Sequence, residues 1–233
     1  MNSYRRTAII VGVLFIIATA APLLSGSFIN VSEENLAGIS VNSFQVTVGA
    51  LLELIMALAI AGIAITFYPV LRKNNETLAV GYVGIRIIEG VIFIVVAVIG
   101  LLSLLALSQE FVEVGAPGGS YFQTMGALLL SAHDWAYVIG GQIVFSVSAI
   151  ILNYVLFRSR LVPRFISIWG LIGAVLILAG GISGMFDLFA EASVVETVIF
   201  LPIAVQEMVL AVWLIAKGFN LQILASRLGN TQV

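Results

Sequence analysis

The chain has 233 residues, of which 61% are apolar and only 9% are charged, and its formal net charge is -2 at pH 7. Soluble domains carry roughly 25% charged residues, because a surface with far fewer charges exposes apolar area that drives association. This composition excludes soluble enzymes, nucleic-acid-binding proteins and disordered chains. It predicts an integral membrane protein whose first partner is the lipid bilayer.

Six apolar segments are long enough to cross a bilayer. A spanning helix needs about 20 mostly apolar residues, because the hydrocarbon core is roughly 30 Å thick. The segments lie at approximately residues 7–29, 46–70, 79–107, 126–157, 165–189 and 194–217. They lack the alternating apolar and polar residues of a membrane β-barrel. The sequence thus predicts an all-α, polytopic transmembrane helical bundle with six transmembrane helices, forming one integral membrane domain over residues 1–233.

The charged residues between the segments predict the orientation of the bundle, since cytoplasmic connections are enriched in Lys and Arg. Basic residues occupy the termini and alternate connections: Arg5, Arg6, Arg72, Lys73, Arg158, Arg160, Arg164, Lys217 and Arg227. The remaining connections carry acidic residues instead: Glu33, Glu34, Glu110, Glu113, Glu191 and Glu196. Both termini are therefore predicted to lie in the cytoplasm. Arg5 and Arg6 before an apolar run also fit a signal peptide, but we favour a retained first helix.

Cysteine is absent and His133 is the only histidine. Disulfides and thiolate chemistry are therefore excluded, and zinc sites generally need two or more His or Cys ligands. No cofactor is predicted, and His133 and Asp134 are the only metal-ligand candidates.

Ionisable residues inside the predicted helices form a candidate buried polar cluster. Arg86 and Glu89 are three residues apart and share a helix face, and Glu89 and Glu207 each lie about 15 Å from the cytoplasmic end of their helices. We expect Arg86 to pair with Glu207, with Glu89 or with both, and Glu53 is a third carboxylate at membrane depth. One positive charge cannot balance three carboxylates in low dielectric, so protons, a cation or a water-filled cavity must compensate the rest.

A second candidate site, for a ligand or for protons, contains His133 and Asp134 near the outer end of the fourth helix. Tyr137 shares a face with His133, whereas Gln142 falls on nearly the opposite face of a straight α-helix. Gln206 joins the candidates because Pro202 removes a backbone hydrogen bond and should kink the sixth helix just before it. Such a kink either exposes backbone groups to a cavity or merely shapes helix packing.

Small residues form one face of the fifth helix at helical spacing, which predicts close contact with neighbouring helices rather than a ligand site. They are Gly170, Gly173, Ala174, Gly181 and Gly184.

Two stretches carry a family resemblance: Leu156-Phe-Arg-Ser-Arg-Leu-Val-Pro163-Arg-Phe and Leu201-Pro-Ile-Ala-Val-Gln-Glu207-Met-Val-Leu-Ala-Val-Trp213-Leu-Ile-Ala-Lys217-Gly218-Phe219. Together with Arg86 and the His133-Asp134 pair, they resemble the prokaryotic six-helix membrane family known as domain of unknown function 4386. The resemblance implies six helices and a bacterial or archaeal plasma membrane, and it implies no activity.

Three functions remain open on the sequence alone. The first is a non-catalytic bundle that binds a small apolar or lipid-like ligand or a membrane partner, which includes a second copy of the chain. The second is a small transporter coupled to protons or a cation, since carboxylates at mid-depth and a proline-broken helix are typical of such sites. The third and least favoured is a metal-dependent intramembrane hydrolase that uses His133 and Asp134.

Overall fold

The protein is described by a computed structural model over residues 3–29, 36–115, 119–186 and 192–220, with the backbone alone at 119–120 and 192–197. Over these residues the chain is helical apart from short turns and contains no β-strand. Six of the described helices are long and apolar enough to cross a membrane. The predicted all-α bundle of six membrane helices is confirmed.

The second, third and fourth helices extend beyond their predicted apolar segments at both ends, whereas the first, fifth and sixth begin before their segments and end before them as well. The first is Ser3–Phe28, the second Ser43–Leu71, the fifth Arg164–Met185 and the sixth Ala192–Ala216, and a short helix, Leu36–Val41, precedes the second. The third joins Glu76–Ile92, a π-helical segment Phe93–Val98 and Ile99–Glu113. The fourth joins Gly119–Ala136, a π-helical segment Tyr137–Val144 and Phe145–Ser159.

Local signals explain the longer third helix. Its first turn is capped by the Asn75 side chain, which accepts a hydrogen bond from the backbone N–H of Leu78 at 2.9 Å. Such a cap satisfies one of the N–H groups that lack a helical partner, so the helix begins at Glu76 rather than at residue 79. The other end lies near Gly115, whose φ of 70° is readily adopted by glycine.

The six helices close into a ring. Each packs against its neighbours in the sequence, and the first also packs against the sixth. Gly12 makes this closure tight, because a Cβ at Gly12 would lie only 2.7 Å from the carbonyl oxygen of Ala211. Since apolar surface gains nothing by leaving lipid, small residues that allow such close approach hold membrane helices together.

Basic residues gather at one end of the ring, here called the basic end. Arg5 donates hydrogen bonds to the carbonyl oxygens of Leu214 at 3.1 Å and Ile215 at 2.6 Å. These carbonyls lie in the last turn of the sixth helix, where backbone oxygens lack helical partners and a cation is favourable. Lys73 also contacts Tyr4 at this end. Of the charged residues that predicted the orientation, Glu33, Glu34, Glu191, Arg227 and the side chain of Glu196 lie outside the described residues.

The small face of the fifth helix contacts two neighbours. A Cβ at Gly170 would clash with the Asn153 side chain on the fourth helix, and a Cβ at Gly173 would lie 3.0 Å from Ile203 on the sixth. Gly184 differs, because a Cβ there would meet nothing within 4 Å. The expectation of a packing role was wrong for Gly184, which lies in the exposed last turn of the helix.

The contrast between Gly170 and Gly184 gives a matched test of the packing. Asn153 cannot move freely, since its Nδ2 donates to the Ala149 carbonyl at 2.9 Å and its Oδ1 accepts from Gln206. We expect Gly170→Ala to lower the free energy of unfolding by about 1–3 kcal/mol through overpacking. Gly184→Ala should change it by no more than about 1 kcal/mol. Thermal unfolding in detergent, followed by circular dichroism, measures both, and equal midpoints would contradict the assigned contact.

Candidate functional site

A cavity of about 340 Å³ lies inside the ring and is lined by the first, second, third, fourth and sixth helices. Its apolar wall includes Ala18, Pro22, Leu23, Met56, Ile60, Ile203 and Ala204, and four aromatic residues, Phe93, Tyr137, Phe145 and Phe200, add to it. Its polar lining consists of Thr19, Arg86, Glu89, Gln142 and Glu207. The cavity is therefore amphipathic, with an extensive apolar wall and a compact charged group.

The cavity has a lateral mouth between the first and sixth helices. Leu23 on the first helix and Phe200 on the sixth both line the cavity and are 72% and 43% exposed, so the cavity is open between these two helices. Gly12 and Ala211 hold the same two helices together nearer the basic end. The mouth thus lies in the half of the bundle away from the basic end.

The two π-helical segments shape the cavity. Each begins with an aromatic residue that lines it, and the rings of Phe93 and Tyr137 pack edge to face with centroids 5.1 Å apart. Gln142 lines the same cavity as Tyr137, so the expectation that they lie on nearly opposite faces was wrong. Residues five apart in an α-helix differ by about 140° around the axis. The wider π turn, with hydrogen bonds between residues five apart, brings Gln142 back to the side of Tyr137.

The structure brings Arg86, Glu89 and Glu207 together at the cavity wall. Nη1 of Arg86 donates to both carboxylate oxygens of Glu89 at 3.0 Å, whereas Nη2 lies 3.8 Å from Oε1 of Glu207. Nε of Arg86 also donates to the Tyr82 hydroxyl at 3.4 Å, and its guanidinium lies 5.3 Å from the centroid of the Phe145 ring. Arg86 and Glu89 therefore form a close, buried ion pair.

Glu207 is less well satisfied than Glu89. Its side chain retains 16% of its accessible surface, whereas that of Glu89 retains 3%. Within the part of the chain that the structure describes, its carboxylate makes no hydrogen bond, and its ion pair with Arg86 is the longer of the two. The cavity thus presents one carboxylate that still has room for a partner.

Glu53 lies in a second polar group, although the sequence grouped it with Arg86. Its Oε1 accepts a hydrogen bond from the Tyr137 hydroxyl at 2.9 Å and lies 3.0 Å from Nε2 of His133. Ser25 on the first helix is 3.5 Å from the same oxygen. The sequence predicted that Glu53 lies at membrane depth, but only the rotation of the second helix decides which buried groups it meets. Its Oε2 is buried and has no hydrogen-bond partner among the residues that the structure describes.

His133 connects this second group to the surface. Its Nδ1 lies 3.7 Å from Oδ1 of Asp134, whose side chain is 83% exposed. Tyr137, at the other side of Glu53, lines the cavity. A line of polar side chains thus runs from exposed Asp134 through His133 and Glu53 to Tyr137 at the cavity wall.

Two candidate assignments are not supported by the geometry. In residues 3–29, 36–115, 119–186 and 192–220, no three His, Cys, Asp or Glu side chains form a group that could hold a metal ion. Gln206 is 1% exposed and does not line the cavity; its Nε2 donates to the Ile166 carbonyl at 3.2 Å and to Asn153. Gln206 therefore holds three helices together.

Sequence reasoning missed most of the apolar and aromatic cavity lining. Nothing in the sequence distinguishes Phe93, Phe145 and Phe200 from other membrane-helix residues, because aromatic side chains are equally suited to contact with lipid and to packing against protein. Only their positions relative to the π-helical segments and to the mouth distinguish them.

Comparison with known families agrees with the fold. The model of the family described as Domain of unknown function (DUF4386) matches residues 10–218. No curated protein and no solved structure matches the chain. Because this match covers all six membrane helices in whole or in large part, the chain belongs to the DUF4386 family.

Proposed function

We propose that this protein binds a lipid-like molecule in the cavity, without catalysing a reaction on it. The observation that carries the proposal is the lateral mouth, where Leu23 and Phe200 line the cavity and are strongly exposed. A molecule dissolved among the acyl chains can enter there without crossing water.

The distribution of side chains matches an amphipathic ligand. An alkyl chain would lie against the apolar wall near Ala18, Ile60 and Ala204. A polar end would reach Gln142 and Glu207, whose hydrogen-bonding capacity is valuable where water is scarce. Ligand sites are typically mostly apolar, with a few polar groups that fix orientation, and this cavity has that composition.

Filling part of the cavity should prevent binding. Ala204→Trp adds a bulky ring to the cavity wall, so we expect at least about a fivefold loss of cross-linking by a neutral long-chain alcohol that carries a photoreactive diazirine. Ala216→Trp is the matched control, because Ala216 lies on the same helix but is exposed at the basic end. Peptide mapping should place the label on the first and sixth helices. Equal labelling of both variants and the wild type would contradict binding in this cavity.

We also propose that the protein lies in a prokaryotic plasma membrane with both termini in the cytoplasm. The asymmetry between basic and acidic connections supports this orientation, since Lys and Arg are retained on the cytoplasmic side. The resemblance to a prokaryotic family supports the choice of membrane.

The absence of cysteine makes the orientation directly testable. Thr77 and Gln109 are both exposed, near opposite ends of the third helix. In intact cells, a membrane-impermeant maleimide should label Gln109→Cys at once and Thr77→Cys only after permeabilisation, because only the former faces outward. The reverse pattern would overturn the orientation.

A proton-coupled transporter is the second candidate function. The specific observation in its favour is the line of polar side chains from Asp134 through His133 and Glu53 to Tyr137. Chains of carboxylates and histidines inside membranes are used as proton relays. This line joins one face of the bundle to the cavity, as coupling of proton movement to a bound ligand requires.

Removing the central carboxylate tests the relay. In liposomes loaded with a pH-sensitive dye, we expect the wild-type protein to conduct protons under an imposed potential. The proton flux through Glu53→Gln should be at least about tenfold lower, because the amide cannot accept and release the proton. Glu110→Gln is the matched control at an exposed position. A wild-type flux equal to that of empty liposomes, or an unchanged flux in Glu53→Gln, would reject this function.

A further inference from the structure

The charges that line the cavity do not cancel. Arg86 is paired with Glu89 through two contacts of 3.0 Å, so Glu207 is a second carboxylate with only a shared, more distant cation. A charge at membrane depth must be compensated by a counterion or by a proton. When no proton is bound, the three charged groups leave one negative charge at the cavity wall.

Among the lining residues that the structure describes, no other can supply the missing positive charge. The first helix contributes Thr19 as its only polar lining residue, the second contributes none, and the fifth does not line the cavity. The fourth contributes Tyr137 and Gln142, which are uncharged. Among the described residues of the third helix, Arg86 and Glu89 are the charged groups near Glu207 on the sixth helix, and the Tyr82 hydroxyl accepts a hydrogen bond from Arg86. Compensation therefore has to come from a proton or from a bound cation.

The aromatic lining favours an organic cation. Ring faces attract ammonium groups within about 6 Å, most strongly where water is excluded. Phe145 already accepts the guanidinium of Arg86 at 5.3 Å. Phe93, Tyr137 and Phe200 line the same cavity and belong to no cation contact within the described residues. Three aromatic side chains and the Glu207 carboxylate thus line the same cavity.

An anionic head group would meet the opposite conditions. It would approach two carboxylates, and the single guanidinium already contacts Glu89, Glu207, Tyr82 and Phe145. Placing like charges together in a site of low dielectric is strongly unfavourable. The cavity therefore discriminates against fatty acids and other anionic amphiphiles.

We infer that the ligand is a cationic amphiphile, an amine or quaternary ammonium compound whose head group binds Glu207 and whose apolar tail lies toward the mouth between the first and sixth helices. This inference rests on the proposed lipid-like ligand, because it names the chemical class that the same cavity selects. It assigns the charged role to Glu207 and a tail-binding role to the wall near Ala18 and Ala204.

Three probes with one tail length separate head-group preference from tail binding. They are radiolabelled decyltrimethylammonium, decanol and decyl sulfate, added below their micellar concentrations to purified full-length protein in a neutral maltoside detergent. We expect the cation to bind at least about tenfold more tightly than the alcohol, and the sulfate to bind most weakly. This ranking is measured on the wild type, so it does not depend on whether a variant folds.

Two variants then locate the preference. Glu207→Gln should bind the cation at least about tenfold more weakly than the wild type and should bind the alcohol with unchanged affinity. Glu110→Gln should change neither affinity. Phe93→Leu, one turn from Glu89 on the third helix, keeps an apolar cavity wall but removes an aromatic face near the head group, so it should weaken the cation more than the alcohol. Size-exclusion profiles equal to wild type confirm that each variant is folded.

The pH dependence adds a readout that a purely structural carboxylate would not show. Decyltrimethylammonium has a permanent charge, so any change with pH reports on the protein. Because protons compete with the cation for the Glu207 carboxylate, wild-type affinity should fall as pH falls, and that dependence should flatten in Glu207→Gln.

Failure of this inference can be told from failure of the proposed function. If the alcohol binds and the cation binds no more tightly, or if Glu207→Gln binds the cation as wild type does, the cationic class is wrong and lipid-like binding stands. If none of the three probes binds, both proposals fail.

Discussion

A guanidinium inside a membrane must be neutralised, and the interior of this bundle is organised around that requirement. Arg86 is 3% exposed, and its partners come from its own helix, from Phe145 on the fourth and from Glu207 on the sixth. Removing one partner of a buried pair leaves an uncompensated charge, so these three helices are held in a fixed relation. The ring closure through Gly12 and Ala211 keeps the sixth helix close enough for Glu207 to take part.

The two π-helical segments give the cavity its lining, because each rotates the residues that follow it relative to a regular α-helix. Phe93 and Tyr137 begin these segments and pack against each other, which places both irregular turns at the level of the cavity. The wider turn also brings Gln142 and Tyr137 to one wall. Such turns are rare and occur frequently at functional sites, and here both border one cavity.

Much of the fold could be predicted from the sequence, because helix length and apolarity in a membrane protein follow directly from bilayer thickness. The proximity of Arg86, Glu89 and Glu207 could likewise be predicted, because depth and spacing along a helix follow from its rise per residue and its residues per turn. For Glu53 and Gln142, the same calculation does not predict which side chains they contact. Glu53 is buried, but the rotation of the second helix decides which neighbours it meets, and the π turn of the fourth helix decides those of Gln142. Neither rotation has a signal in the local sequence.

Tyr137 belongs to the polar group around Glu53 and also lines the cavity, so the two candidate functions share a residue. Its hydroxyl satisfies Glu53, while its ring packs on Phe93 and lines the cavity. Since the second oxygen of Glu53 has no hydrogen-bond partner in the described part of the chain, Tyr137, His133 and Ser25 supply the contacts that compensate for the burial of this carboxylate. A ligand that shifts the ring of Tyr137 would therefore alter the group that leads to Asp134 at the surface. Tyr137 is therefore the residue through which the two proposed functions would be coupled.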